Sequence, residues 1–505
     1  MNQIKAGAVL NYVIIGINTL LGLLYTPYML GKLGQSEFGL YSLVSSIIAY
    51  LTILDFGFGN AIIRYTAKFK AMQQQSAQWE MFGMFLIVYS LIGLLALGIG
   101  SVLYFNIDLL FDRTMTAGEI SQAKVMIILL LVNLALTFPL SMFGSIIMAY
   151  EKFVFQKLVN IARILISTAV IVILLFYGYK AVALVVVQTV FNIGCLLLNV
   201  FYCIYRLRIK VWFKKFDFSF FKEISIYSFW VFLYGIMDRV YWSTGQFVLG
   251  SIVGTVAVAV FSVAVLLQQM YLSFSSAVSS VLLPRITTMV ATNHSKEEIS
   301  DIFIRTGRLQ FIVIGLILAG FILFGKAFIN LWAGPNYDES YYITLIFFVA
   351  LLTPLIQNTG TTILEARNQL KFRSLLYLAV SMLSLGCQIW LAHIFGPIGC
   401  AIGIGGALLI GQGLIMNIYY YKKQQIDIIK FWREIGKMAV APVCLSVIAF
   451  FLIKYIPVYS WSQLCIVIFA FIACYAPLCW LFSMNAYERS MAKSLLLRGK
   501  KLFCK

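Results

Sequence analysis

The chain is short of charge. Of its 505 residues only 11% are Asp, Glu, Lys or Arg, against about 25% in ordinary soluble domains. That shortage excludes a soluble globular enzyme and a disordered chain. Histidine occurs twice, at His294 and His393, and no C-x-x-C is present, so no metal site is expected. The nine cysteines fall mostly inside apolar runs and read as small hydrophobes, not as disulfide staples. Acidic residues number 19 against 38 basic ones, a formal net charge of +19. In a soluble protein that excess points to nucleic acid. Here the positions of the charges give another reason for it, and no nucleic-acid partner is expected.

What is present is apolar: 62% of the residues are hydrophobic. A membrane-spanning helix needs roughly 20 such residues in a row. Fourteen stretches qualify, at about 8–30, 38–62, 82–104, 124–149, 157–177, 181–205, 225–249, 254–283, 309–332, 341–364, 374–394, 397–421, 437–456 and 461–484. Long unbroken runs predict helices, because barrel strands alternate over about ten residues. With a cytoplasmic N-terminus, 30 Lys and Arg fall in inside loops and tails, 6 in outside loops, and 2 (Arg163, Arg239) within spans. This asymmetry is the positive-inside signature and puts both ends in the cytoplasm. The first run is too long for a signal-peptide core, lacks an A-x-A site, and is expected to stay as the first helix.

The chain also repeats itself at an offset of about 218 residues. LGKLGQSEFGLYSL (Leu30 to Leu43) resembles LGSIVGTVAVAVFSV (Leu249 to Val263). Arg64 falls near Arg285, Pro139 over Pro354, and Gly178 to Tyr202 on Gly396 to Tyr420, with Asn199 on Asn417. A six-helix unit repeated this way enters the membrane from the same side twice. The expected fold is an all-α integral membrane protein of fourteen helices. Two six-helix lobes form a parallel pseudo-twofold repeat, and two C-terminal helices follow. In residues, 1–210 is the first lobe, 211–224 a basic cytoplasmic linker, 225–430 the second lobe, and 431–505 the last two helices with a basic tail that meets anionic lipid head groups. Facing lobes imply a central cavity that rocks between inward-open and outward-open states.

Polar residues inside the spans are the candidate site. An Arg or Asp at mid-helix costs roughly 2.5–3.5 kcal/mol on the insertion scale, so each needs a reason. Asp238 and Arg239 lie about fourteen residues, or about 21 Å, into the seventh span. Arg239 is the strongest cavity candidate, weighed against an interhelical ion pair. Asp55 lies in LDFGFGNAIIRY (Leu54 to Tyr65), where two glycines permit a bend, and reads either as a proton carrier or as an ion-pair partner. Arg64 and Arg285 close their spans at the cytoplasmic side, where snorkelling is the plainer reading. Arg163, two turns into the fifth span, reads as snorkelling more firmly. The eighth span crowds Gln268, Gln269, Ser273, Ser275, Ser276, Ser279 and Ser280 into its second half. Ser273, Ser276 and Ser280 share a face suited to a hydroxyl-rich substrate or to close helix packing. Asn11, Asn18 and Tyr25 add polarity to the first span. S-K-E-E (Ser295 to Glu298) and Thr116 to Glu119 read as structural capping boxes. AIGIGG (Ala401 to Gly406) follows no strand and is no nucleotide loop.

LGQSEFGLYSL, LDFGFGNAIIRY, FGPIGCAIG (Phe395 to Gly403) and the six-plus-six-plus-two plan resemble the Wzx-type polysaccharide flippases of the multidrug/oligosaccharidyl-lipid/polysaccharide exporter superfamily. The resemblance implies a non-enzymatic carrier in the bacterial inner membrane. Its substrate would be an undecaprenyl-diphosphate-linked oligosaccharide, moved by alternating access for O-antigen or a related surface glycan. It further implies a cationic cavity lined by the first, second, seventh and eighth helices. Arg239, Asp238, Asp55, Arg64, Arg285, Asn18, Gln268, Gln269, Ser273, Ser276 and Ser280 fall there. No cofactor is implied, and coupling to a proton or sodium gradient is expected. The partners are membrane lipids and other polysaccharide-assembly membrane proteins. A lipid II flippase, a multidrug or cation antiporter and a polysaccharide polymerase or ligase are the competing readings. Antiporters usually lack the last two helices, and polymerases carry a large outside loop with Arg or His.

Overall fold

The computed structural model describes residues 3–213, 218–292, 295–367, 369–453 and 459–490. Among them the chain is 90% helical and holds no strand. This is what hydrocarbon demands of long apolar runs, since a helix satisfies its backbone groups within one segment. The order begins with α1 (Gln3–Leu51), a 3-10 turn (Thr52–Asp55) and α2 (Phe58–Ala71). It continues through α3 (Gln75–Phe111), α4 (Ala117–Ala149), α5 (Phe153–Phe176), α6 (Ala181–Phe201), α7 (Phe218–Trp242), α8 (Thr244–Ile252) and α9 (Thr255–Ala291). Then come α10 (Lys296–Trp332), α11 (Asp338–Ile356), α12 (Asn358–Ala366), α13 (Leu370–Leu408), α14 (Met416–Lys422), α15 (Ile428–Ile453) and α16 (Trp461–Leu478).

Eleven helical stretches among the described residues are long and apolar enough to cross a membrane. Two exceed a single crossing. Val9–Ala71 holds 63 residues and Lys371–Lys422 holds 52, whereas a crossing takes roughly 20. Within them α1 kinks at the non-helical Gly34 (φ 75°) and α13 at the non-helical Gly396 (φ 57°). The sequence reading placed a span boundary at both points. The turn glycines also recur at the repeat offset: Gly34 and Gly254 stand 220 residues apart, Gly178 and Gly396 218. Both capping boxes are present, Thr116 with Glu119 on α4 and Ser295 with Glu298 on α10.

The chain divides into two compact units, Met1–Ser262 with Ala392–Pro397, and Val263–Leu391 with Ile398–Lys505. In unit 1, α3 and α6 pack on α4, and α1 packs on α5. Phe82, Phe85 and Tyr89 of α3 are fully buried. Unit 1 reaches past the basic segment to include α7 and α8. In unit 2, α10 packs on α11, α15 and α16, around Phe303, Tyr420 and Phe431 in one cluster and Phe324, Phe471 and Tyr475 in another. Large apolar side chains also cover the outside: Leu94 is 64% and Phe469 74% exposed, which suits lipid and not water. The chain is a multi-pass membrane protein.

Unit 2 is pinned by one buried arginine. Arg308 of α10 is 4% exposed and Glu488, beyond α16, 2%. The guanidinium donates to both Glu488 oxygens (2.6 and 3.0 Å), to Glu434 of α15 (3.0 Å) and to the Ser483 carbonyl (2.9 Å). The sequence reading counted Arg308 only as a cytoplasmic-side cation. Removing one partner of such a cluster strands a buried charge, at about 3–5 kcal/mol. Glu488→Ala is therefore expected to lower the thermal unfolding midpoint of the detergent-purified protein sharply. Lys437→Ala, which breaks only an exposed pair with Glu434, should cost about 0.5 kcal/mol of stability or less and leave the midpoint nearly unchanged.

Candidate functional site

Unit 1 breaks its helices where the candidate residues stand. Asp55 ends the 3-10 turn, and the next two residues, Phe56 (φ 51°) and Gly57 (φ 69°), are left-handed. Gly57 adopts this freely, whereas Phe56 does so at roughly 1–2 kcal/mol. Neighbours hold the break. The Phe56 ring stacks on Phe232 of α7 at 4.4 Å, and Phe58 meets Phe85 and Tyr89 of α3 and Phe221 of α7. Asp55 is half-buried beside Tyr89 and accepts the Gly57 N–H.

Asp238 and Arg239 are half-buried on α7, adjacent and electrostatically coupled. A turn later α7 gives way to α8 at Ser243. Because α7 packs on both the Thr52–Asp55 turn and α2, the elements carrying Asp55, Asp238 and Arg239 are brought together. Arg64 is exposed on α2, its guanidinium 5.8 Å from the Tyr65 ring centroid. Tyr65 donates to Glu223 of α7 at 2.8 Å. Asn18 is exposed on α1.

On α9 in unit 2 the two glutamines part. Gln269 is exposed and its carbonyl accepts the half-buried Ser273 hydroxyl at 2.9 Å. Gln268 is wholly buried, and neither amide atom has a hydrogen-bond partner among the described residues. Such an orphan costs about 1–3 kcal/mol, so Gln268 has the most to gain from a hydrogen-bonding ligand. Ser275 faces inward to packing, donating to the Leu355 carbonyl at 3.0 Å. The side chains of Ser276, Ser280 and Arg285 lie outside the described residues. No cluster of three or more His, Cys, Asp or Glu able to hold a metal occurs among the described residues.

Three features exceed the sequence reading. First, Glu119 does more than cap α4. Its Oε1 accepts the Ser36 hydroxyl at 2.6 Å and the Thr255 hydroxyl at 2.8 Å, while Oε2 accepts the Thr116 N–H. Thr114 donates to the Gly250 carbonyl at 2.7 Å beside it. The backbones touch here, since a Cβ on Gly39 would lie 1.9 Å from the Thr255 carbonyl oxygen. One carboxylate thus clasps three chain segments. The sequence signal was faint: nothing in one sequence pairs Ser36 or Thr255 with Glu119. Second, α10, α11, α15 and α16 of unit 2 frame an apolar groove of about 710 Å³, with Leu318, Ile322, Ile435, Val443, Phe450 and Tyr475 on its walls. Third, the Arg163 guanidinium hydrogen-bonds to Asn160 of its own helix and to Asn192 of α6.

The sequence matches the polysaccharide biosynthesis protein family over residues 4–290. The chain belongs to that family. Among curated proteins it is 21% identical over 410 residues to the "Putative O-antigen transporter" of Shigella flexneri, covering 80% of this chain and 94% of that one. Among solved structures it is similar to the lipid II flippase MurJ in an inward closed conformation, with a TM-score of 0.73 at 16% identity over 93% of this chain and 98% of that one. An inward-facing multidrug resistance MATE family transporter of the MOP superfamily gives a TM-score of 0.59 at 15% identity over 81% of this chain and 98% of that one. Family membership therefore joins a MurJ- and MATE-like fold.

Within this family member the Glu119 clasp is directly testable. Each hydrogen bond to a charged group contributes about 1.5–3 kcal/mol, and Glu119→Ala removes two between segments. Amide hydrogen exchange at residues 34–40 and 250–256 is expected to quicken about tenfold or more. Unchanged exchange at both segments contradicts the clasp.

Proposed function

We propose that the protein is a flippase for undecaprenyl-diphosphate-linked oligosaccharide repeat units in the bacterial inner membrane, working by alternating access. The relatives are transporters and flippases, which supports a carrier and not an enzyme. The observation that carries the reading is the apolar groove of unit 2. A sugar head group cannot enter hydrocarbon without losing its hydration, and a polyprenyl tail gains nothing by leaving it. A carrier for such a molecule needs a dry groove for the tail and hydrogen-bonding groups for the head. The groove is formed partly by α15 and α16, the two C-terminal helices that a twelve-helix antiporter lacks. Asp55, Asp238 and Arg239 of unit 1 are the proposed head-group residues. Arg239 would hold the diphosphate through charge-assisted, bidentate hydrogen bonds.

This reading keeps fourteen crossings with both ends cytoplasmic and the clasped loops around Glu119 on the outer side. The closed clasp is then the state that shields the substrate from the periplasm. Energy would come from a proton or sodium gradient. Deletion of the gene should abolish the surface glycan and accumulate lipid-linked repeat units on the inner leaflet, with rescue by the intact chain. In proteoliposomes, Arg239→Ala is expected to slow head-group flipping about tenfold or more. Gly436→Trp, which fills the groove, should block a polyprenyl substrate while sparing one with a short tail. Equal flipping by both variants and the unsubstituted protein refutes the assignment. Normal glycan with drug hypersensitivity favours an antiporter, and preferential transport of lipid II favours the lipid II reading.

A further inference from the structure

On α5 the polar residues fall at one spacing: Gln156, Asn160, Arg163 and Ser167. On α6 the same spacing gives Gln188, Asn192, Cys195 and Asn199. Positions three and four apart share a helix face, so each helix presents a polar stripe. The stripes meet inside unit 1. Arg163 donates to Asn160 Oδ1 at 3.1 Å and to Asn192 Oδ1 at 3.4 Å. Asn192 donates to Asn133 Oδ1 at 2.8 Å and Thr137 Oγ1 at 2.9 Å on α4. Gln188 donates to the Tyr41 hydroxyl at 2.6 Å. Arg163, Asn192, Asn133 and Thr137 border a cavity of about 440 Å³ between α1, α4, α5 and α6, with Ser167, Thr168 and Gln188 also on its wall.

Amide-to-amide hydrogen bonds between helices need neither a charge nor a cavity. Here both are present. Arg163 stands ten residues into α5, about 15 Å along its axis. No carboxylate among the described residues lies within ion-pair distance of it. A guanidinium has five N–H donors in a planar fork, and the two asparagine oxygens do not exhaust them. A fixed positive charge, an unfinished donor fork and neutral hydroxyl and amide groups around a space with room for several waters make a receptor for an anion. The fork matches two oxygens on one centre better than a spherical halide.

We propose that this chamber binds a phosphate-type oxyanion, with Arg163 as its charged ligand and Ser167, Thr168 and Gln188 as neutral partners. Free phosphate and a phospholipid head group share that chemistry. The inference does not depend on the flippase reading, because it assumes nothing about what is transported.

Cys195 supplies a reporter. It is half-buried, one turn from Asn192 and within electrostatic reach of Arg163. The full chain is placed in nanodiscs of phosphatidylcholine and titrated with inorganic phosphate. Phosphate is expected to bind and to slow thiosulfonate labelling of Cys195, read by peptide mass spectrometry, while Cys504 of the basic tail labels at an unchanged rate. Arg163→Gln should weaken phosphate binding about tenfold or more, and Arg163→Lys, which keeps the charge but not the fork, by less. With phosphatidylglycerol in the disc, protection of Cys195 without added phosphate identifies the lipid head group as the source. Protection only by added phosphate identifies the free ion. Equal phosphate affinity in Arg163→Gln, or no protection of Cys195 by either anion in the unsubstituted chain, overturns the proposal.

Discussion

Hydrocarbon offers no partner to a polar group, and the rest of this structure follows from that constraint. Backbone groups can be satisfied only within a helix, so the described chain is almost entirely helical. Where a helix breaks, the exposed carbonyls and N–H groups must be covered by protein. The break after Asp55 is covered by rings from α3 and α7. The same accounting applies to side chains. Arg308 is buried because two carboxylates and a carbonyl surround it. Among the described residues Arg163 has only asparagine oxygens, and it opens onto a cavity.

The apolar runs made the fold legible before any coordinates. Among the described residues the runs lie on helix except at short breaks. The differences concern how runs join and divide. Two neighbouring pairs of runs follow one another without a loop, joined by a kink at Gly34 and at Gly396. The second, seventh and tenth runs divide, at Phe56 with Gly57, at Ser243 and at Gln357. Hydropathy sums over windows of about 19 residues and does not register a break of one or two residues that leaves the composition unchanged.

The site was legible in part. The depth of Arg239 and the glycines beside Asp55 pointed to elements that do pack together. Adjacent Gln268 and Gln269 were grouped as one polar wall, but residues one apart on a helix diverge by about 100°, and only one of them is buried. Arg163 was judged singly and set aside, although its stripe with Gln156, Asn160 and Ser167 was visible as a spacing of three and four. Glu119 was read correctly as a cap, yet its bonds to Ser36 and Thr255 bridge 83 and 136 residues. Local pattern carries no information about such distant pairs.

The arginine cluster of unit 2 also has a place in time. Glu434 follows Arg308 by 126 residues and Glu488 follows it by 180. At synthesis rates of roughly 5–20 residues per second, Arg308 leaves the ribosome about 10–40 s before its last carboxylate exists. For about the first two-thirds of that interval Glu434 is also missing, and until Glu488 follows the charge is only partly neutralised and favours the aqueous edge of the bilayer. The final depth of α10 is therefore settled only when the chain is nearly finished, and the C-terminal segment acts as the latch that ends assembly.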